Sequence, residues 1–580
     1  MNAHQRQSPV TNREAAADTG FAALDDIQPR RGAEVLVEVL RSEGVRYVFG
    51  NPGTTELSFI DALSDAPDLS YVLGLQEAAV VAMADGYSQA SGRPGFTNLH
   101  TVGGLGHAMG ALLNAKAART PLVVTAGQQD TRHAYTDPLL YGDSVGVAGP
   151  AVKWAREVSH PDEIGVLVRR AFNDSAAAPS GPVFLSLPMD VMERTSSLPV
   201  ARRSAIDRTS IPAALPDLAK ALASIRPGRL AMVVGDEVFA TNASMEAVAV
   251  AETLGASVFG PSWPAHLPFP TSHALWCGNL PMTVADMHET LGAFDAVFVL
   301  GGHFSITILY SVGPAIPSTC RLYQLASDPH DLGRIHAAAL GCVGALRASL
   351  HALLPMLRDA SQHRRIEIDA LRADAQRSRT RQRISLEEQV ASGLSATMTT
   401  PLVAAHEVAR ALGPMTPVVD ESPATMPLIR SALHSAGTRQ YYGTRGAILG
   451  WGMGAAVGIS LGLGREPVVA IIGDGSALYA PQALWTAVHE HLPVTFVIVN
   501  NQEYNILKKY MKSQHHFVSA RIDCFTGMDL KEPPIDFLAL ARSWGLAARR
   551  VARAKDIAAA VECGVASGQP NLIEIPISAT

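Results

Sequence analysis

Short runs of apolar, largely β-branched residues recur along this chain, separated by longer stretches with helical spacing. Tyr71-Val-Leu-Gly-Leu75, Pro121-Leu-Val-Val-Thr125, Leu230-Ala-Met-Val-Val234, Ala296-Val-Phe-Val-Leu300, Glu466-Pro-Val-Val-Ala-Ile-Ile472 and Pro493-Val-Thr-Phe-Val-Ile-Val499 are of this kind. Continuous apolar runs of that length predict strands buried on both faces of a parallel sheet. Ala78 to Gln89 and Ala480 to Leu492 read as helices, so the chain belongs to the α/β class.

Composition divides the chain into blocks. A polar extension (1–31) precedes a first α/β block (32–198), and the Pro- and Arg-bearing stretch after it (199–216) reads as a linker. A second block follows (217–355), then a charged stretch (356–399) that predicts a solvated helix plus connector, then the last block (400–580). No internal repeat is legible in the residues.

With 580 residues, 47% of them hydrophobic, the chain has material for three or so domains with ample core. A net charge of −6 gives no reason to expect nucleic acid or an anionic membrane as main partner. Cys277, Cys320, Cys342, Cys524 and Cys563 are scattered, without zinc or disulfide spacing, and read as core thiols of a cytosolic protein. The first 31 residues lack an apolar signal region, and no stretch reaches the roughly 18 apolar residues of a membrane helix, so the expected compartment is the cytoplasm.

The chemistry concentrates where two strand runs end. Gly473-Asp474-Gly475 follows the first and Asn500-Asn501 the second. A strand, a crossover helix and a parallel strand form a right-handed unit, which puts both turns at one edge of the sheet, where open α/β sheets bind ligands. An Asp oxygen and an Asn oxygen suit a hard octahedral cation such as Mg²⁺, completed by phosphate, water and a backbone carbonyl. The glycines admit phosphates to the backbone, and a helix beginning near Ser476 would present free N–H groups. Taken singly, Gly-Asp-Gly is an ordinary tight turn and Asn-Asn an ordinary strand terminator.

Those motifs resemble the cofactor signature of the thiamine-diphosphate enzymes, most closely the benzoylformate decarboxylase branch. The likeness runs from about Glu34 to Ile577, through Phe49-Gly-Asn-Pro-Gly-Thr-Thr-Glu-Leu57, Leu75-Gln-Glu-Ala78, Ala84-Asp-Gly-Tyr87, Asn98-Leu-His100, Ala126-Gly-Gln-Gln129 and Gly473-Asp-Gly-Ser476, and is looser in the middle third. It implies three doubly wound parallel-sheet domains, pyrimidine-binding, middle and diphosphate-binding, of which the first and last share a fold. It implies thiamine diphosphate and Mg²⁺ as cofactors. Dimers or tetramers are implied too, because one chain's first domain and another's last would share each site.

Residue by residue, the resemblance makes Glu77 the carboxyl group that bonds the cofactor's pyrimidine. On sequence alone this is an acid favouring a helix N-terminus, but the apolar residues Ala78 to Ala84 behind it would strengthen a hydrogen bond. Ser422, Thr425, Gly473, Gly475, Ser476 and Tyr479 would contact the diphosphate, although Pro423-Ala424 departs from the hydroxyl-rich family pattern. Leu449 falls where a bulky residue bends the cofactor, and Asp474, Asn501 and the Glu503 carbonyl fall on the metal. The Glu503 carboxylate is left free to act as an acid or base.

His100 aligns with a proton-transferring histidine, ahead of a glycine-rich loop at Gly103 to Gly106. Thr54 stands where a serine bonds the substrate carboxylate. Ile308 replaces the family's second active-site histidine and cannot relay protons, which makes His303 or His107 the candidates to take over. Leu507 and Tyr510 match substrate-wall positions. Lys508, Lys509, Lys512, His515 and His516 form a basic cluster, either a solvated helix face or a site for a phosphorylated or coenzyme A-linked substrate.

The implied reaction is non-oxidative decarboxylation of an aryl-bearing 2-oxo acid to an aldehyde. Carboligation of the acetohydroxyacid synthase kind and 2-hydroxyacyl-CoA cleavage share the cofactor and stay open, since loss of the second histidine would slow protonation. A nicotinamide oxidoreductase would use Gly104-Leu-Gly106, Gly110 and Asp130, whose spacing departs from G-x-G-x-x-G. A non-catalytic cofactor-binding homologue would have no use for Glu77.

Overall fold

Three six-stranded sheets, every pairing within them parallel, carry the chain in a computed structural model that describes residues 28–434 and 440–579. The first comprises β2 (Tyr47–Gly50), β3 (Ser70–Leu73), β4 (Gly95–Leu99), β5 (Leu122–Gln128), β6 (Ala155–Glu157) and β7 (Val183–Pro188). The middle sheet has β9 (Leu230–Val234), β10 (Ser257–Gly260), β11 (Trp276–Asn279), β12 (Ala296–Leu300), β13 (Arg321–Ala326) and β14 (Leu340–Val343). The last has β15 (Val418–Glu421), β16 (Tyr441–Gly443), β17 (Val468–Gly473), β18 (Val494–Asn500), β19 (Ala547–Arg550) and β20 (Asn571–Pro576).

Strand order in the first sheet is β3-β2-β4-β5-β7-β6 and in the last β16-β15-β17-β18-β20-β19, one topology used twice. The repeat that no residue pattern reveals is therefore present in the backbone. The middle sheet differs, with order β11-β10-β9-β12-β13-β14. Its central strands β9 and β12 are buried throughout, as their continuous apolar runs require.

Of the polar extension, residues 1–27 lie outside the described chain. Its last pair, Arg30–Arg31 (β1), forms a short antiparallel bridge to Thr195–Ser196 (β8). The charged stretch contains a 29-residue helix, Arg365–Gly393, in which only Ile368 and Val390 are buried.

The first and last sheets are joined through two helices, Glu77–Ser91 and Gly452–Gly462. A Cβ added at Gly458 would lie 1.8 Å from the Met83 carbonyl oxygen, and one at Gly86 would lie 2.3 Å from that of Ala455. The backbones thus touch directly, and only glycine fits at those two points. Beside them the Trp451 indole N–H donates to the buried Asp85 carboxylate at 2.8 Å. One apolar cluster runs through both units, which places the carboxyl edges of their sheets in a fixed relation.

Candidate active site

Two groups of side chains gather at those carboxyl edges. The loop after β2 organises the first. Glu77 opens its helix, is 7% exposed, and holds both carboxylate oxygens in bonds: Oε1 accepts from Asn51 Nδ2 at 3.2 Å, and Oε2 lies 3.1 Å from His107 Nδ1. A Cβ at Gly104 would come within 3.1 Å of Oε1. The segment Gly103 to Gly106 is not the expected loop, because it forms the opening turns of the helix Thr101–Ala118. Burial of Leu105, Ala108 and Leu112 on that helix outweighs the poor helix propensity of glycine.

His100 sits between β4 and that helix. Its Nδ1 lies 2.8 Å from Glu56 Oε2 and 3.2 Å from Thr55 Oγ. Glu56 is buried and also accepts from the Thr55 hydroxyl (2.6 Å) and the N–H groups of Gly53 (2.9 Å) and Gly127 (3.0 Å). A carboxylate so held keeps the imidazole proton on Nδ1 and leaves Nε2 as the ring's free acceptor. Thr54 is exposed, at the start of the turn Thr54–Glu56, next to residues that touch the ring. Sequence reasoning missed Glu56 and Asn51, for an acid two residues beyond a candidate hydroxyl carries no signal until the loop's path is known.

The second group surrounds the ends of β17 and β18, whose pairing reaches Gly473 and Val499. Asp474 opens a single turn, Asp474–Ala477, and the next helix is only Ala483–His489, shorter than the expected Ala480 to Leu492. Pro481 falls in the break between them, so the N–H donors here belong to one turn rather than to a long helix. Asp474 is buried, and its Oδ2 has no hydrogen-bond partner among the described residues. Burial pushes its carboxyl up to about 6, against the pull of the Gly475 and Gln502 backbone N–H groups.

Asn500 and Asn501 hold the facing turn. Asn500 Oδ1 accepts from Gln502 N–H at 3.0 Å, and Asn501 Oδ1 accepts from Glu503 N–H at 3.1 Å. An amide oxygen has a second lone pair, so Asn501 keeps one for a ligand. The Glu503 carboxylate is not free: it is buried and bound by Lys508 Nζ at 2.5 Å, which also bonds Asp529 at 2.8 Å. Lys512 pairs with Asp523 at 2.9 Å. The basic cluster has therefore already spent two of its lysines on neighbouring acids.

A Cβ at Gly473 would meet nothing nearer than 3.7 Å, whereas one at Gly475 would strike the Tyr504 ring at 2.7 Å. The backbone at Gly473 is thus open to an approaching group. An unpaired buried anionic oxygen is costly unless a cation meets it. Asp474, Asn501 and the Glu503 carbonyl form an all-oxygen set that fits Mg²⁺, beside an open turn that fits a diphosphate. Ser422 is buried and its hydroxyl donates to Asp420 at 2.6 Å, so it would have to turn to serve a phosphate. Thr425 and Ser476 are buried nearby, and Tyr479 is exposed.

Leu449 lies on the turn before the helix Gly452–Gly462. Asn114, from the Thr101–Ala118 helix, donates to the Ile448 carbonyl at 2.6 Å and accepts from the Ile448 N–H at 3.2 Å. Leu507 (45% exposed) and Ile308 (48%) are open to solvent in the isolated chain, and the Tyr510 hydroxyl is buried without a partner among the described residues.

Of the two histidines considered as substitutes at Ile308, His107 is on Glu77. His303 bonds Asp331 at 3.2 Å, and Asp331 in turn binds Arg119, which caps the far end of the 18-residue helix that His100 begins. That helix is about 27 Å long, so His303 and His100 are remote within one chain. His303 lines instead a cavity of about 1050 Å³ with Asp236, His266 and Arg445.

Three family models match the chain. They describe the N-terminal TPP binding domain (residues 30–145), the central domain (217–353) and the C-terminal TPP binding domain (425–575) of thiamine pyrophosphate enzymes. A benzoylformate decarboxylase of Pseudomonas aeruginosa is 33% identical over 93% of this chain and 97% of its own. A putative acetolactate synthase large subunit of Mycobacterium tuberculosis is 28% identical over 94% of this chain and 99% of its own. Among solved structures, a thiamine diphosphate-dependent 4-hydroxybenzoylformate decarboxylase of Rhodococcus jostii superposes with a TM-score of 0.83 at 30% identity, covering 95% of this chain and 99% of that one. A benzoylformate decarboxylase of Polynucleobacter necessarius gives 0.82 at 28% identity, with the same coverage.

Proposed function

The chain belongs to the thiamine pyrophosphate enzymes, and from that premise we propose that it decarboxylates a 2-oxo acid with an aryl or other bulky apolar group, releasing the aldehyde and carbon dioxide. The observation that carries this reading is the oriented pair His100–Glu56 beside Thr54, within the loop that also supports Glu77 through Asn51. The relatives named benzoylformate decarboxylase supply the substrate class.

Thiamine diphosphate, when bound, supplies the nucleophilic carbon and the electron sink for loss of carbon dioxide. The rest of the work falls to the chain. Asp474, Asn501 and the Glu503 carbonyl would hold Mg²⁺, with Gly473, Gly475, Ser422, Thr425, Ser476 and Tyr479 around the diphosphate. Leu449 would support the cofactor's bend, and Glu77 would hold a proton against its pyrimidine. The Thr54 hydroxyl would orient the substrate carboxylate. His100 would accept and return a proton at Nε2 while Glu56 fixes Nδ1. Ile308, Leu507 and Tyr510 would wall the substrate. Glu77 and Asp474 sit at the edges of different sheets, and we assign the complete site to a dimer in which each edge faces the partner's other edge.

Carboligation is the second reading, favoured by the apolar Ile308 and by the acetolactate synthase relatives. Products from benzoylformate and pyruvate, each with and without acetaldehyde, separate the two. Benzaldehyde as the main product supports the decarboxylase. A 2-hydroxyketone that outpaces aldehyde assigns a carboligase.

A further inference from the structure

Glu421 is a deeply buried acid near the site that the foregoing scheme leaves without a task. It ends β15, 1% exposed, immediately before Ser422. Its side chain crosses to the turn after Leu449 and accepts three backbone N–H groups there: Gly450 (2.8 Å) and Trp451 (3.2 Å) on Oε1, and Gly452 (2.8 Å) on Oε2. Gly450 has φ +99°, and a Cβ on it would come within 2.9 Å of the Tyr479 Cβ. A Cβ on Gly452 would meet the Glu421 Cβ at 2.8 Å and the Ile472 side chain at 2.7 Å. The turn is therefore pressed between the phosphate-side segment and this carboxylate.

Two polar residues brace Leu449 from opposite sides. Asn114 grips Ile448 from the first sheet's unit, and Glu421 grips Gly450 to Gly452 from the last. We propose that Glu421 is the positioning residue that fixes Leu449 at the site, through a carboxylate anchored to three consecutive amides. The proposal rests on the assignment of Leu449 to the cofactor's bend.

A carboxylate matches three donors, whereas an amide does not. Gln in its place keeps the length but offers one oxygen, and its NH₂ would confront an N–H, donor to donor. Among the described residues, β17 and the helix Gly452–Gly462 carry no ionisable side chain, Tyr479 packs against Gly450, and Asp420, the acid next to Glu421 on its own strand, bonds Ser422 and Tyr441 while its charge adds to the rise of the Glu421 carboxyl. Burial pushes the Glu421 carboxyl up to about 7, opposed by the three amides.

The test compares E421Q, E421D and L449A with the parent chain by amide hydrogen exchange over 450–452, by affinity for thiamine diphosphate with Mg²⁺, and by kcat and KM on whichever acid the parent decarboxylates. E421Q is expected to exchange these amides at least tenfold faster and to lose tenfold or more in kcat, with KM within twofold of the parent. E421D, too short to span both ends of the turn, should behave similarly, and it replaces the Gln variant should that fail to fold. Unchanged exchange in both variants overturns the anchor. Faster exchange with parental kcat in E421Q, while L449A is impaired, overturns the positioning role alone. Parental kcat in E421Q and L449A together overturns the proposal through the Leu449 assignment. If the parent turns over neither acid, exchange together with weakened cofactor affinity in E421Q supports the proposal, and exchange without it counts against it.

Discussion

At the residue scale the proposed chemistry depends on carboxylates and what holds them. Glu77 is bonded at both oxygens, so E77Q would keep its shape and neighbours while removing the exchangeable carboxyl proton. We expect kcat to fall by about 10²-fold or more with little change in melting temperature. A loss below threefold in steady-state rates contradicts the role. H100A should cost about 10²–10⁴-fold in kcat, whereas a variant at Thr54 should raise KM more than it lowers kcat. Glu421 makes a pH prediction. Its carboxyl is raised by burial from 4.5 to about 7 in the folded chain, so the native state binds the proton more tightly than the unfolded one. Stability from this group is then greatest below about pH 4.5 and is lost as pH rises through 7. The melting-temperature advantage of the parent over E421Q should shrink between pH 5.5 and pH 8, and an advantage that grows would contradict the assigned burial. These residues differ in legibility. Glu77 and Asp474 stand out because a motif surrounds each. Glu56 acts through His100, 44 residues on, and Glu421 through the amides of Gly450 to Gly452, and nothing in their local sequence shows where those partners will be.

At the element scale, the buried strands and the start of the helix at Glu77 were legible, and the helix after Asp474 was not. The runs at Leu230 to Val234 and Ala296 to Leu300 coincide with β9 and β12, since residues buried on both faces leave an unbroken apolar signature. Glycines misled in one place: Gly103 to Gly106 joined a helix because tertiary burial, absent from any local window, decided it. The joined helices Glu77–Ser91 and Gly452–Gly462 give a sharp test. G458A places a methyl where the Met83 carbonyl lies, which should cost about 1–3 kcal/mol by overpacking. A drop of several degrees in melting temperature is expected, and an unchanged midpoint would mean the helices separate freely. The turn Gln502 to Tyr504 is latched by Lys508 between Glu503 and Asp529. K508A leaves the buried Glu503 unpaired, and calorimetric titration should find a several-fold weaker Mg²⁺ interaction. Parental affinity would free the latch of any part in shaping the metal turn.

At the scale of the whole molecule, one topology appears twice around a different middle sheet, and the first and last copies share a core within a chain. The family resemblance anticipated that duplication although no residue repeat displays it, because topology constrains burial patterns rather than residue identities. In the dimer proposed above, each sheet edge of one chain would meet the other edge of its partner. The proposed reaction is cofactor-dependent decarboxylation of an aryl 2-oxo acid at a site that joins Glu77 and Asp474. Its most direct measurement is benzaldehyde formation from benzoylformate by the purified chain, with thiamine diphosphate and Mg²⁺ supplied together or each withheld, and with E77Q beside it. Benzaldehyde is expected only with both cofactors present, with a collapse in E77Q. Benzaldehyde formed equally without thiamine diphosphate, or undiminished in E77Q, would contradict it.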